Sequence, residues 1–431
     1  MIVNVIGAGL AGCEASYQLA KRGYKVNLYE MKPKKYSDAH KLDTYAELVC
    51  SNSLRSNDIK NAVGVMKEEM RILDSLIIKI AEETKVNAGS SLAVDRELFS
   101  ARITEEIKKN ENINIINEEV LKIPEGPTII CTGPLTSDAL SEDIKNFLGE
   151  EYLYFFDAAA PIILNDSINF DKVFLKSRYD KGEPAYLNCL FTKEEFEAWY
   201  KELINAECVV PKDFELKVFE GCMPFEEMAK RGEKTLLFGP MKPKGLTFNG
   251  VRPYAVCQLR QDNLSKSCWN IVGFQTHLTF PAQKRIIRMI PGLENAEIVR
   301  YGVMHRNTFI NAPKSINEFY QSKKREDLFF AGQLAGVEGY VESTASAIVA
   351  SINMVKYLEN KPLVAFPKTT AIGSQAYYIS HALPSDFQPM NANYGIFPDI
   401  LEKHHKSNRK ELYSSRAISD MKNFVGSEDF E

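Results

Sequence analysis

Three glycines and an acid stand close together at the start of this 431-residue sequence. Gly7, Gly9 and Gly12 form a G-x-G-x-x-G, with Ala8, Leu10 and Ala11 between them. An apolar run, Ile2–Ile6, precedes the motif, and residues 13–22 have helical composition. Gly23 ends that helix, Lys25–Tyr29 reads as a second short strand, and Glu30 stands at its end. Each part has a physical task. Gly7 permits a tight turn, Gly9 lets the backbone approach a pyrophosphate, and Gly12 lets helix and strand pack closely. The helix start offers N–H groups and the positive end of its dipole to phosphates. Glu30 can accept hydrogen bonds from a ribose diol. The register of strand, glycines, helix and acid predicts a dinucleotide site. The alternative is a glycine-rich turn in an ordinary strand–helix–strand unit.

A second glycine-rich unit lies far down the chain, DLFFAGQLAGVEGYVESTASAIVASINMVKYL at 327–358. Residues 328–331 read as a strand. Gly332, Gln333, Gly336 and Gly339 read as a loop, and 341–358 as a helix with Glu342 in its first turn and Tyr340 at its mouth. Flavin-binding folds use such a unit to close over the flavin end of FAD. A third element, 129–134, is a strand ending in a turn at Thr132 and Gly133. Together the three favour FAD over NAD as the bound dinucleotide. No second G-x-G-x-x-G is present, so no dedicated NAD(P)H domain is expected.

The eight cysteines stand at 13, 50, 131, 189, 208, 222, 257 and 268, and no two have CxxC spacing. That argues against zinc and dithiol redox sites, and no metal is expected. Cys13, Cys131, Cys189, Cys208, Cys257 and Cys268 read as small buried apolar side chains. Cys50 and Cys222 sit instead among Ser, Asn, Gly and Pro, in loops, where functional residues concentrate.

The elements that must position these residues suggest an α/β architecture: an FAD-binding Rossmann-like domain of the glutathione-reductase type with an inserted α+β domain. Residues 60–85 read as a helix with Val63, Met66, Met70, Leu73, Ile77 and Ile80 on one side. Residues 96–108 read as another helix, leading into the strand Ile113–Ile116. From 161 to 299 the pattern becomes less regular. Short strands are expected at 162–164, 185–190, 236–238, 254–259 and 269–273, with a helix near 193–204. We take 161–299 as the insertion, with 1–160 and 300–431 forming the discontinuous FAD-binding domain. Residues 361–400 read as irregular covering structure and 401–424 as a polar closing helix. The composition is that of a globular protein, 45% hydrophobic and 26% charged. No apolar run reaches the ~20 residues of a membrane span. The opening MIVNVIGAGLAG lacks the order of a secretion signal. Its thiols are then those of a cytoplasmic protein. The formal charge of −4 gives no global sign of nucleic-acid binding, so an RNA site would be a local basic patch.

Several blocks carry a closer resemblance: AELVCSNSLRS (46–56), FEGCMPFEEMAKRGEKTLLFGPMKPKGL (219–246), RPYAVCQLRQDN (252–263), NIVGFQTHLTFPAQKRI (270–286), PGLENAEIVRYGVMHRNTFINAP (291–313) and FQPMNANYGIFP (387–398). The sequence resembles the folate- and FAD-dependent tRNA uracil-5-methyltransferases nearly end to end, both cysteine blocks included. A larger flavoprotein that modifies wobble uridine shares the FAD elements and is expected to lack those blocks. The resemblance implies methylation of C5 of a uridine in RNA, expected in the T-loop of tRNA. The carbon comes from 5,10-methylenetetrahydrofolate, reduced flavin carries it and supplies a hydride, and NAD(P)H is the transient reductant.

Uracil C5 is a poor nucleophile until a thiolate adds at C6. Cys50 and Cys222 match the two family cysteine positions. One is expected to attack C6 and the other to act in C5 deprotonation or thiol activation, with the assignment open. The insertion would contribute Cys222 and part of the folate and RNA cleft. Tyr340 matches a family aromatic at the flavin ring. Arg55 and Asn52 are candidates for a phosphate or base edge, or for capping a turn. His305 and Arg306 are candidates for the flavin, folate or RNA. Lys242, Lys244, Lys284, Arg285 and the run 404–410 are candidate RNA contacts, though each taken alone reads more readily as solvated surface charge. Three other readings compete: the same chemistry on a ribosomal RNA uridine, a plain flavin oxidoreductase, and a non-catalytic RNA-binding flavoprotein. The oxidoreductase needs a CxxC-like pair and an NAD(P)H domain, and neither is seen.

Overall fold

A computed structural model describes residues 1–37, 39–150, 152–180, 183–209, 223–401, 404–405, 407–428 and 430. Its centre is the strand Ile2–Ile6, where Val3 and Val5 are wholly buried. Parallel partners flank it on both sides, Lys25–Tyr29 and Thr128–Ile130. Ile113–Ile116 extends the sheet beyond the first and Leu328–Phe330 beyond the second, again in parallel. Short apolar runs suit strands covered on both faces. The strand order reverses between Ile2–Ile6 and Thr128–Ile130. In open parallel sheets, ligands bind in the crevice beyond the strand ends at such a reversal.

The helix Leu10–Ala20 follows the first strand directly, with Gly9 as its N-cap. It begins three residues before the stretch expected from composition, because the glycine turn itself feeds the helix. Gly7 has φ +94°, a region that favours glycine. A Cβ on Gly12 would lie 1.7 Å from the Gly7 carbonyl oxygen, so only glycine allows helix and turn to approach this closely. The long helix Tyr340–Leu358 packs against Leu10–Ala20 and is buried along nearly its whole length.

The helix expected over 60–85 is two helices, Ala62–Ile72 and Leu76–Glu83. Asp74, at φ +56°, breaks the run, and the Ser75 Oγ caps the second helix by accepting from Ile78 N. The buried Glu14 accepts from Ser75 Oγ at 2.8 Å and Ile77 N at 3.1 Å, at that helix's positive end. The apolar side was correctly placed, since Val63, Met66, Met70, Leu73, Ile77 and Ile80 are all buried. A period shared by two helices cannot reveal the break between them.

A second sheet is drawn from the middle of the chain. Its six strands run antiparallel in the order Val173–Leu175, Tyr186–Phe191, Ala255–Gln261, Cys268–Ile271, Ile162–Leu164, Ile298–Arg300. It has its own core, around Trp199, Phe196, Phe225 and Phe274. The chain enters through the strand Leu153–Ala158 and leaves through Met304–Phe309, and these two pair with each other. The helix Lys193–Ile204 lies where expected, started by a capping box of Thr192 and Glu195. Residues 236–238, expected as a strand, belong to the helix Glu233–Phe238, which packs on Phe225–Lys230. Three apolar residues are too few to carry a period. The stretch 361–400 holds a helix, Ala371–His381, whose first N–H groups donate to the buried Glu69. Burial pushes the Glu69 carboxyl up to about 8, against those two hydrogen bonds. The closing helix is Arg409–Val425.

Gly9 and Gly12 differ in one testable respect. A Cβ on Gly9 meets nothing within 4 Å, whereas one on Gly12 meets backbone. Gly12→Ala is expected to lower unfolding stability by about 3 kcal/mol or more, read from a urea transition. Gly9→Val should keep nearly the transition of the dinucleotide-free wild-type protein and release no dinucleotide on denaturation. Equal stability losses in the two variants would contradict this division.

Candidate active site

The crevice at the strand reversal is an open cleft with about 1140 Å³ of empty space. Gly7, Ala8, Gly9, Leu10, Ala11, Glu30, Thr132, Gly133, Gly332, Gln333 and Tyr340 all line it. Eleven of the thirteen residues expected at the dinucleotide therefore meet in one place. Two helices, Leu10–Ala20 and Tyr340–Leu358, start at this cleft, and neither has a side-chain cap. Their first N–H groups lack intrahelical acceptors. Such ends suit phosphate or another anion. Glu30 Oε2 accepts from Ala8 N at 2.9 Å and Oε1 from Lys32 N at 3.0 Å. Each oxygen keeps a further lone pair for a diol. The open space above Gly9 and the uncapped helix starts fit a dinucleotide.

Gly12 and Glu342 stand apart from the lining. Gly12 packs on the Gly7 carbonyl. Glu342 is fully buried, pairs with Arg55, and accepts from Ala392 N at 2.7 Å. Through Oε1 it fastens the 387–398 region and the Arg55 turn to the helix start, while its Oε2 has no partner among the described residues.

Cys50 lies beside the cleft. Its backbone N–H donates to Tyr340 Oη at 2.9 Å, and its Sγ is 3.8 Å from the Ala158 carbonyl oxygen. Three arginines from distant parts of the chain hold its loop. Arg96 donates to the Leu48 carbonyl and, at 3.2 Å, to the Cys50 carbonyl. Arg300 donates to the Val49 carbonyl at 2.8 Å. Arg260 donates to Ser51 Oγ at 2.8 Å and to Asn52 Oδ1 at 2.9 and 3.1 Å. Beneath the strand Ser53–Ser56, the buried Lys67 donates to the Leu54 and Ser56 carbonyls at 2.8 and 2.7 Å. Burial pushes the Lys67 ammonium down to about 7.

These arginines carry the local field. Burial opposes the charge on Arg96, but its pair with Asp262 at 3.1 Å outweighs that and raises its pKa, with the Cys50 sulfur acting on the same side. Burial lowers Arg260, with Tyr186, Asp262 and Cys50 working against it. The coupling is reciprocal, so both guanidiniums favour a thiolate at Cys50.

Asn52 is fully buried, and its amide bonds only within the protein, so it positions the loop. Arg55 is engaged by Glu342. His305 and Arg306 pair through their backbones with Asp157 and Phe156, and their side chains lie outside the described residues. Cys222 also lies outside them. Of the basic candidates, Arg285 pairs with Glu207 at 2.7 Å, while Lys242 and Lys244 lend their carbonyls to Arg178. Cys13, Cys131, Cys189 and Cys257 are buried as expected, whereas Cys208 and Cys268 are half-buried. Sequence reasoning missed Arg96, Arg260, Arg300, Asp262 and Lys67. One signal was available: Arg260 is a charge inside AVCQLRQ, a strand buried at every position.

The sequence matches the family described as "Glucose inhibited division protein A" over residues 2–362. It is 61% identical to a methylenetetrahydrofolate–tRNA-(uracil-5-)-methyltransferase TrmFO of Bacillus subtilis, covering 96% of this chain and 97% of the relative. The protein of the same name from Anoxybacillus flavithermus is 60% identical, covering 99% of each. Among solved structures, Aquifex aeolicus GidA superposes with a TM-score of 0.72 over 99% of this chain and 74% of that one. At 16% identity, that likeness speaks for the fold. Among the described residues, no helix is long and apolar enough to cross a membrane.

The arginine collar makes a prediction about Cys50. In Arg260→Met, the pH midpoint for alkylation of the Cys50 peptide should move upward by roughly one unit, the usual effect of losing a nearby opposite charge. Mass spectrometry of the labelled peptide reads it. An unmoved midpoint would mean that Arg260 only holds the loop.

Proposed function

The chain belongs to the methylenetetrahydrofolate–tRNA-(uracil-5-)-methyltransferase family, and from that premise we propose that it methylates C5 of a uridine in tRNA with carbon from 5,10-methylenetetrahydrofolate. The observation that carries this reading is the contact between Cys50 and Tyr340. It fastens the loop that bears a thiol, with two guanidiniums acting on its sulfur, to a residue lining the cleft. FAD is the dinucleotide that suits the cleft. Gly7–Ala11 would meet its pyrophosphate, Glu30 its ribose, and Thr132, Gly133, Gly332, Gln333 and Tyr340 the flavin half. When bound and reduced, it supplies the electrons that turn a one-carbon unit at the folate level into a methyl group. NAD(P)H is the transient reductant.

The chain's own residues prepare the base. Cys50 and Cys222 are the two reacting thiols. One adds to uracil C6 and makes C5 nucleophilic. The other takes the C5 proton or keeps the first thiol ionised. Arg96 and Arg260 favour the anionic sulfur, while Asn52 and Tyr340 hold the loop that carries it. The paired strands Leu153–Ala158 and Met304–Phe309 and the separate second core support dividing the chain into 1–160 with 300–431 and an insertion at 161–299. A cytoplasmic setting suits thiols that must stay reduced. The relatives' names specify tRNA and favour it over ribosomal RNA.

The direct test supplies folate labelled at the methylene carbon, with reductant and unmodified tRNA. Label should appear in 5-methyluridine at the T-loop. Label arriving only from S-adenosylmethionine, or only in ribosomal RNA, would refute the reading.

Cys50→Ala and Cys222→Ala should each abolish methylation while FAD content is retained. Removing a nucleophile should raise the barrier by several kcal/mol, at ~1.4 per tenfold in rate. Removing a proton-transfer group should cost roughly 10²–10⁴-fold. Trapping with 5-fluorouridine RNA separates the roles, since only the variant lacking the nucleophile forms no covalent complex. Near-wild-type turnover in either variant removes that cysteine from the mechanism.

A further inference from the structure

A second group of reactive side chains lies in the inserted region. Cys208 Sγ, a carboxylate oxygen of Glu227 and a ring nitrogen of His277 all lie within 4.8 Å of one another. Local backbone pairing assembles them. Cys208 bridges to Leu278, Val209 N donates to the His277 carbonyl at 2.8 Å, and Phe225 N donates to the Gln275 carbonyl at 2.8 Å. The segment 275–278 thus receives the chain just before residue 210 and again just after residue 222.

The surroundings show a built site. His277 is 3% exposed and Glu226 is fully buried. Glu226 Oε1 accepts from His277 N at 2.6 Å and Thr276 Oγ1 at 3.0 Å, and lies 2.9 Å from His277 Nδ1. That last contact is not aligned as a hydrogen bond, and Glu226 Oε2 has no partner among the described residues. His277 Nε2 faces Glu227 at 3.4 Å, and Glu227 also meets Lys230 at 2.7 Å.

We propose that Cys208, Glu227 and His277 form a binding site for a zinc-class divalent cation, with Glu226 orienting His277 from behind. The donor set supports this choice. A thiolate, an imidazole and a carboxylate select zinc-class ions over magnesium or calcium, which take oxygen ligands. Three protein ligands leave a fourth tetrahedral position for water. A carboxylate against the far nitrogen of a ligating histidine is the usual outer partner in such sites. Each ligand binds in its deprotonated form, so uptake of the ion releases protons. Cys208 precedes, and Glu227 follows, the stretch 210–222 that contains Cys222. The ion therefore ties both ends of that stretch to the second core. The absence of CxxC spacing does not speak against it, because the ligands come from three separate places in the sequence.

The test uses the full-length, flavin-loaded protein, stripped with chelator and titrated with Zn²⁺ and then with Co²⁺. One equivalent of zinc is expected, along with a thiolate-to-cobalt charge-transfer band. Cys208→Ser, at a half-buried position, should abolish the band and weaken zinc binding at least tenfold. Glu227→Gln, also accessible, should weaken zinc binding and keep the band. Cys222→Ser should leave both unchanged. Circular dichroism and flavin content report whether each variant is folded. Failure of the wild-type chain to take up zinc would overturn the proposal, as would a band that survives Cys208→Ser or vanishes in Cys222→Ser. Methyl transfer is not the readout, so this result stands apart from the test of the proposed function.

Discussion

The side-chain amide of Asn52 joins the two halves of this protein. Its oxygen accepts twice from Arg260, on the second sheet, and its nitrogen donates to the carbonyls of Val94, Gln261 and Asp262. The Asn52 carbonyl in turn accepts from Val94 N at 2.9 Å. A buried polar group left unmatched costs about 1–3 kcal/mol, so a fully bonded amide in this position admits one arrangement of its neighbours. Those neighbours include Cys50, two residues away, whose position relative to Tyr340 decides whether a thiol stands at the cleft.

The same junction holds charge. Arg96 and Asp262 form a buried pair, with side chains 7% and 8% exposed. Such pairs are weak evidence for stability, since desolvation consumes most of the attraction, but removing one partner is costly. Their value here is positional. Arg96 spans from Asp262 to the Leu48 and Cys50 carbonyls, so one guanidinium fixes the loop to the second sheet. Among the described residues, no carboxylate pairs with Arg260 or Arg300. Their charge is met by carbonyl, hydroxyl and amide oxygens and by the nearby sulfur. Positive charge retained in a poorly solvated place strengthens its effect on an adjacent thiol.

The nucleotide half of the architecture was legible from residues 2–30 and 327–358, because glycine spacing and strand–helix alternation are local properties. Eleven cofactor candidates fell into one cleft for that reason. Gly12 packs helix against turn as its spacing implies, and Glu342 stands behind the lining rather than in it. An acid in a helix's first turn looks the same whether it faces a ligand or, as here, Arg55 and the Ala392 N–H. The break at Asp74 and the helix at Glu233–Phe238 were hidden because periodicity needs more residues than either supplies. Arg96, Arg260 and Arg300 escaped because their meaning depends on contacts far along the chain. The sequence pointed to the cysteine and not to the residues that condition it. The general burial tendency of cysteine makes Cys208 a small packing side chain, and only folding brings it to His277.

The two hydrophobic cores share no residue: one surrounds the parallel sheet and the other the antiparallel sheet. The lining of the dinucleotide cleft is drawn from elements of the first core. The loop that bears Cys50 hangs from both. Tyr340 and Leu54 tie it to the first, while Arg260 and Arg300 reach it from strands of the second sheet. Cofactor binding and thiol placement therefore rest on different parts of the fold. The parallel sheet alone supplies a place for a dinucleotide. A disturbance confined to the second core leaves that place intact while releasing Ser51, Asn52 and the Val49 carbonyl from their donors. The thiol would then lose its position and the Arg260 charge together, with Arg96 left as its nearby cation. The inserted sheet thus conditions the Cys50 loop, because it carries Arg260 and Arg300, whose guanidiniums hold Ser51, Asn52 and the Val49 carbonyl.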